Sequence, residues 1–304
     1  MGTGEEPSFA ERYGGVGVLI ALVAVFGALR PSAFPTADNL LAVLGNEAVT
    51  GIVALGVLVP LAAGTADLSV GGMTTLAVVQ VTWLFQATHG RMPVPVAVLV
   101  VLLTAVLAGL GNDLLVVRAR LQPLVAALVT LGTGAVLGGV AHVLGDGETV
   151  SRDVPRSFRA WGDSAVLRVP VTAIVFAALA VLLWYVLARV PRERAVPFAY
   201  VASAVAAATA GIVLAARLGS GPPGAGAPYL LPAYAAAFLG AATVRPGRFT
   251  VGGLVVAVAI LAVVVNGTQH LGAPYWTVDV VHGVGLVVGV LLWRRLGGTL
   301  LARK

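Results

Sequence analysis

The sequence predicts an all-α integral membrane protein of about ten transmembrane helices, some of them broken. Three observations carry that reading. Hydrophobic residues fill 59% of the 304 positions and charged residues only 11%, against ~45–50% and ~25% in ordinary soluble domains. Ten apolar runs approach or reach the ~17–25 residues that a spanning helix needs. Basic residues also gather on alternate connections, as they do in chains oriented by their loops. A chain with a mean hydropathy of +0.97 has no polar skin to hold it in water. That excludes a soluble enzyme, a nucleic-acid-binding domain and a disordered chain. The formal net charge of +6 then belongs to basic loops beside a membrane.

The runs are 14–29, 40–62, 68–87, 94–117, 123–144, 168–187, 196–217, 229–243, 249–266 and 277–293. The first follows Glu5, Glu6, Glu11 and Arg12 and lacks a small-residue cleavage site, so it reads as a spanning helix rather than a removable signal. Pro60, Gly64, Gly71 and Gly72 interrupt the second and third, which predicts broken or re-entrant segments. The fourth to seventh are bounded by arginines. The first is short. Residues 145–168 form the one long connection; it is either a solvated link or a surface for another protein. No linker or low-complexity stretch divides the chain, so residues 1–304 read as a single transmembrane domain.

With the N-terminus inside, ten crossings return the C-terminus to the same side. Twelve of the 19 basic residues then lie inside. They are Arg12, Arg118, Arg120, Arg189, Arg192, Arg194, Arg245, Arg248, Arg294, Arg295, Arg303 and Lys304. The seven outside include Arg152, Arg156, Arg159 and Arg168 of the one long, acid-containing connection. The rule weighs short loops, so both termini are expected in the cytoplasm of a multi-pass cell-membrane protein.

Polar groups within the runs are the candidate functional residues, because a charge at the bilayer centre costs at least ~2.5–3.5 kcal/mol. Asp67 sits in the Gly64-to-Gly72 break. It either caps a half-helix, whose first N–H groups need an acceptor, or contacts substrate or a gate. Asn112 and Asp113 stand just before Arg118 and are expected at the interface. Glu47 is deep enough to need a partner, and none is close in sequence. Asp279 is near the outer end of the last run. His142, His270 and His282 have no metal-ligand spacing, and the absence of cysteine removes thiolate sites. The only lysine is Lys304, so a phosphate-binding loop lysine is impossible. The G-x-x-x-G pairs Gly134/Gly138 and Gly285/Gly289 predict close packing within the chain.

Several segments together carry a resemblance. Asn39-Leu40, Gly51-Ile52-Val53-Ala54-Leu55-Gly56 and Asp67-Leu68-Ser69-Val70-Gly71 occur in that order. Gly111-Asn112, Thr130-Leu131-Gly132-Thr133, Ala235-Ala236-Ala237-Phe238-Leu239-Gly240 and Asn266-Gly267 follow. The set resembles permease subunits of carbohydrate ABC importers of the ribose/xylose/galactoside type, over roughly residues 30–295. The resemblance implies a subunit that works by alternating access, with no catalytic residue. It places Asp67, Leu68, Ser69, Gly71, Asn112, Thr130 and Asn266 on the transport pathway or its motifs. The implied cargo is a monosaccharide or related small polar solute. The implied partners are the lipid bilayer, a second permease subunit, a cytoplasmic ATP-binding subunit and an external solute-binding protein, with no nucleic acid. This chain would bind no cofactor, ATP being held by the partner.

The sequence departs from that family where the sixth run meets the seventh. The family's cytoplasmic segment, which docks on the ATPase, is largely missing between Ala188 and Ala195. Any contact is then expected from Arg189, Arg192, Arg194, Arg245 and Arg248, with weak or absent coupling. Two other readings remain: a permease homologue that no longer transports, and an ion-coupled transporter using Glu47 and Asp67.

Overall fold

A computed structural model describes residues 9–189 and 192–298. Among them are eleven α helices: α1 Phe9–Leu29, α2 Ala37–Ala62, α3 Val70–Ala87, α4 Val94–Asp113, α5 Pro123–Leu144, α6 Arg156–Asp163, α7 Val171–Arg189, α8 Arg192–Leu218, α9 Leu230–Gly240, α10 Val251–His270 and α11 Thr277–Arg295. All but α6 coincide with the ten apolar runs. Eight spans are long and apolar enough to cross a membrane, and two shorter apolar helices, Gly14–Leu29 and Ala227–Gly240, complete the ten.

The helix starts follow local chemistry. Thr36 Oγ1 accepts the Asn39 N–H at 3.2 Å before α2, and Thr250 Oγ1 accepts the Gly253 N–H at 3.2 Å before α10. Each satisfies one of the donors left free in a first turn. Pro93 and Pro123 stand where a helix needs no N–H. The end of α4 runs on as a π-helical turn, Leu114–Arg118.

Helix α8 is the axis of the bundle, packed by α2, α3 and α4. Its buried face is made of small residues, among them Ala199, Ala204, Ala207, Ala208 and Ala215. In lipid there is little hydrophobic drive between helices, so close backbone approach supplies the attraction. The α3–α5 crossing works the same way: a Cβ on Gly72 would overlap the Gly134 carbonyl. Helices α4, α5, α7 and α11 turn apolar side chains outward, such as Leu107, Leu124, Val181 and Val287. On a membrane protein that surface faces lipid or another subunit.

Three expectations change. Helix α3 is continuous from Val70 to Ala87, so the break precedes it, at residues 63–69. The eighth run is a half-helix. Its 11 residues cover about 16 Å at ~1.5 Å per residue, against a hydrocarbon core of ~30 Å. A non-helical lead precedes it, held by the Val150–Gly221 bridge and by the Gly226 N–H bond to Thr75 Oγ1 at 3.0 Å. Finally, 145–168 is more than a solvated link. It holds α6 and the first strand of a two-strand hairpin, β1 Ala165–Val166, whose partner β2 Val169–Pro170 follows directly. Phe158 of α6 is fully buried, its ring centroid 5.1 Å from that of Phe85 on α3.

Candidate functional site

The break between α2 and α3 begins where Pro60 lies inside α2 and Gly64 takes a φ of +89°, a backbone that other residues rarely adopt. The freed backbone groups are then satisfied by neighbouring helices. The Thr65 hydroxyl bonds Tyr200 Oη of α8 at 2.8 Å, and the Leu68 N–H donates to Thr130 Oγ1 of α5 at 3.0 Å. Tyr234 Oη of α9 donates to the Asp67 carbonyl at 2.8 Å. Thr130 lies seven residues beyond Pro123, so this node sits about 10 Å along α5 at ~1.5 Å per residue. Irregular backbone is tolerated at membrane depth only when protein covers it in this way.

Asp67 is completely buried. Its Oδ1 accepts the Ser69 N–H at 2.9 Å and the Ser69 hydroxyl at 2.5 Å. Asn112 Nδ2 of α4 donates to Ser69 Oγ at 2.9 Å. Among the described residues Asp67 Oδ2 makes no close hydrogen bond, and the buried Ser203 hydroxyl of α8 is its neighbour. The cap expected of Asp67 is therefore displaced. The residue that opens α3 is Ser69, whose side chain caps no first-turn N–H, and Asp67 holds Ser69 instead. Asn112, expected at the interface, is 2% exposed and inside the node. Its position near Arg118 misled because its partner, Ser69, lies on another helix.

The structure thus brings together Asp67, Leu68, Ser69, Asn112 and Thr130. Gly71 is one turn on, where a Cβ would meet Leu230 Cβ at 3.5 Å and Ala227 Cα at 3.6 Å. Asn266 is elsewhere. It exchanges two amide hydrogen bonds with Asn39, at 2.9 and 3.0 Å, and Asn39 also bonds the Phe34 carbonyl and His270 Nε2. That set ties the α1–α2 connection, the start of α2 and the end of α10 together at their expected outer ends. Thr65, Tyr200, Ser203 and Tyr234 were not anticipated. The available signal was tyrosine in an apolar helix, whose hydroxyl needs a partner when buried. Glu47 finds basic company: Arg217 of α8 reaches the same turn of α2, bonding the Gly45 carbonyl at 2.8 Å and Asn46 Oδ1 at 2.7 Å.

The arginines expected to meet an ATPase are divided. The Arg189 guanidinium lies 3.7 Å over the Tyr185 ring. Arg192 and Arg194 fall in the first turn of α8, not in a loop, and their side chains lie outside the described residues. Only residues 190 and 191, also outside the description, separate α7 from α8, so no docking helix fits between them. Arg245 and Arg248 are exposed on the α9–α10 connection, at the rim of a cavity of about 330 Å³. Among the described residues no group of histidines and acids could hold a metal. The node has donors and acceptors in fixed places but no nucleophile paired with a base. It holds helices together.

A family model described as "Branched-chain amino acid transport system / permease component" matches residues 39–191. Among similar proteins are the autoinducer 2 import system permease proteins LsrD of Escherichia coli K12, Shigella flexneri and Escherichia coli O157:H7. Each is 28% identical, over 92% of this chain and 92% of its own length. No solved structure matches.

Proposed function

From the premise that the chain belongs to this permease-component family, as a membrane-embedded subunit of an ABC importer, we propose that it carries a monosaccharide or a related small polar solute. Autoinducer 2, named in the similar proteins, is one candidate. The family implies an ATP-binding subunit and a solute-binding protein as partners. To these the proposal adds a second permease subunit, either a copy of this chain or a close relative. ATP stays on the partner, and both termini face the cytoplasm with the basic connections.

The observation that carries the reading is the node at residues 65–69. A non-helical segment lies within the bundle, and four different helices each hold it by one side-chain hydrogen bond. Such a junction lets α2 and α3 change their relative angle by exchanging a few bonds, which alternating access requires. The solute would pass beside it. The two-residue α7–α8 connection favours one second reading, a permease homologue that has lost coupling and does not transport.

Reconstitution decides between them. The chain is co-expressed with the ATP-binding and solute-binding proteins encoded beside it, and uptake of labelled sugars into proteoliposomes is followed together with ATP hydrolysis. Solute-stimulated hydrolysis with uptake supports the permease. A stable complex that hydrolyses ATP without uptake supports the second reading. Uptake that follows an ion gradient and ignores ATP would overturn both.

A further inference from the structure

The cavity beside Arg245 and Arg248 has the wrong chemistry for a purely polar contact. Its volume is about 330 Å³, and it lies between the ends of α2 and α7 and the start of α10. Part of its lining is apolar: Val59 and Ala62 from α2, and Trp184 and Leu187 from α7. The α9–α10 connection contributes the two arginines. Among the described residues no carboxylate lies within 4 Å of either guanidinium. Helix α7 leans mainly on α2 and presents its other side outward, with Val181 at 65% and Trp184 at 61% exposure. The cavity therefore opens between a lipid-facing helix and a basic connection at one membrane face.

We propose that this cavity binds the headgroup and upper chain of one anionic phospholipid. The phosphodiester would sit between Arg245 and Arg248, whose planar forks match its oxygens. The first acyl carbons would lie on Trp184, Leu187 and Val59. Basic pockets between transmembrane helices collect anionic headgroups at the membrane surface. Tryptophan suits the boundary, where one edge is apolar and the other wet. A carboxylate from a protein partner would satisfy the arginines but leave the apolar lining without a use. That difference favours lipid over an acidic segment of the ATP-binding subunit. The site requires only that the chain be embedded in a membrane, not that it transport.

The test titrates the purified full-length chain with phosphatidylglycerol or phosphatidylcholine of matched tails and reads bound lipid by native mass spectrometry. The expected result is one retained phosphatidylglycerol, preferred roughly tenfold or more over phosphatidylcholine. Arg245→Gln with Arg248→Gln should abolish the preference. Gly252→Phe should also lose the lipid while keeping both arginines, because Gly252 lines the cavity and a Cβ there meets open space. It keeps the test decisive if the double variant does not fold. Arg152→Gln with Arg156→Gln, at the other face, should change nothing. Phosphatidylglycerol with brominated tails should quench fluorescence in the parent more than in Trp184→Leu. Equal binding of both lipids, or a preference that survives both cavity variants, overturns the proposal. So does displacement of the lipid by millimolar inorganic phosphate, which would mark a soluble-anion site. A strong cross-link from Gly252→Cys to a co-expressed ATP-binding subunit, with no lipid retained, would assign the cavity to that protein.

Discussion

Asp67 and Ser69 show how a few polar atoms hold a bend inside a membrane. Asp67→Leu removes the acceptor for both the Ser69 N–H and the Ser69 hydroxyl. Stranding buried donors costs ~1–3 kcal/mol, so its thermal unfolding midpoint in detergent should fall clearly below that of the parent. Asp67→Asn keeps a carbonyl oxygen at that place and should lose less. Equal midpoints for the two variants would show that the oxygen is not what matters. Asn39 and Asn266 offer a cleaner pair, since each amide both donates to and accepts from the other. Asn39→Leu leaves the half-buried Asn266 amide unpaired, and Asn266→Leu takes two bonds from Asn39, which keeps those to the Phe34 carbonyl and His270. The double change should therefore cost less than the two singles together, the non-additivity expected of residues in one network. Additive losses in a double-mutant cycle would break the pair apart. Neither node was legible as a unit in the sequence. Asp67 and Ser69 are adjacent and were found, but Asn112, Thr130 and Tyr234 reach them across the fold, and linear spacing carries no trace of that meeting.

Helices were far more legible than their partners. In lipid a regular helix satisfies its backbone groups within its own segment, so apolar runs and helices coincide, and α2, α5 and α10 lie where their runs lie. The half-helix α9 was not legible, because counting apolar residues in 229–243 says nothing about the glycine- and proline-rich lead that precedes it. That lead is held by contacts to α3, through Thr75, and to the long connection, through Val150. Glycines within helices split in the same way. Gly134 touches α3, where its Cβ would lie 3.0 Å from Ser69 Cα, whereas Gly138 faces open space. Only one end of that G-x-x-x-G pair is a packing residue within this chain. Gly138→Ala should leave the isolated chain as stable or slightly more so, since alanine is favoured over glycine in a helix by ~1 kcal/mol. Gly72→Ala should be severe, at ~1–3 kcal/mol or more for an overpacked crossing. Unfolding of the two variants in the same detergent tests this, and a mild Gly72→Ala would mean that α3 and α5 separate easily.

Across the whole molecule, Gly15 near the start of α1 and Leu296 just past α11 abut the same α9–α10 connection, at Thr243 and Gly247, so the two ends of the described chain lie on one side of the bundle. A reporter active only in the cytoplasm should work when fused after Lys304 and fail when inserted after Gly147 in the long connection. The reverse pattern would invert the orientation. The position of α8 in the chain has a further cost in time. Helices α2, α3 and α4 are built around it, yet 105 residues separate Asp113, where α4 ends, from Leu218, where α8 ends. At ~5–20 residues per second of synthesis, the nascent chain waits roughly 5–20 s for its own axis. Through that interval the Thr74 hydroxyl lacks the Ala207 carbonyl it bonds at 3.1 Å in the finished bundle. The ribosome thus delivers the walls before the post, and α2 to α4 must be sheltered at the insertion site until α8 arrives. Arrest-peptide force profiles should register a late pull as α8 leaves the ribosome, larger than any during the emergence of α5 to α7.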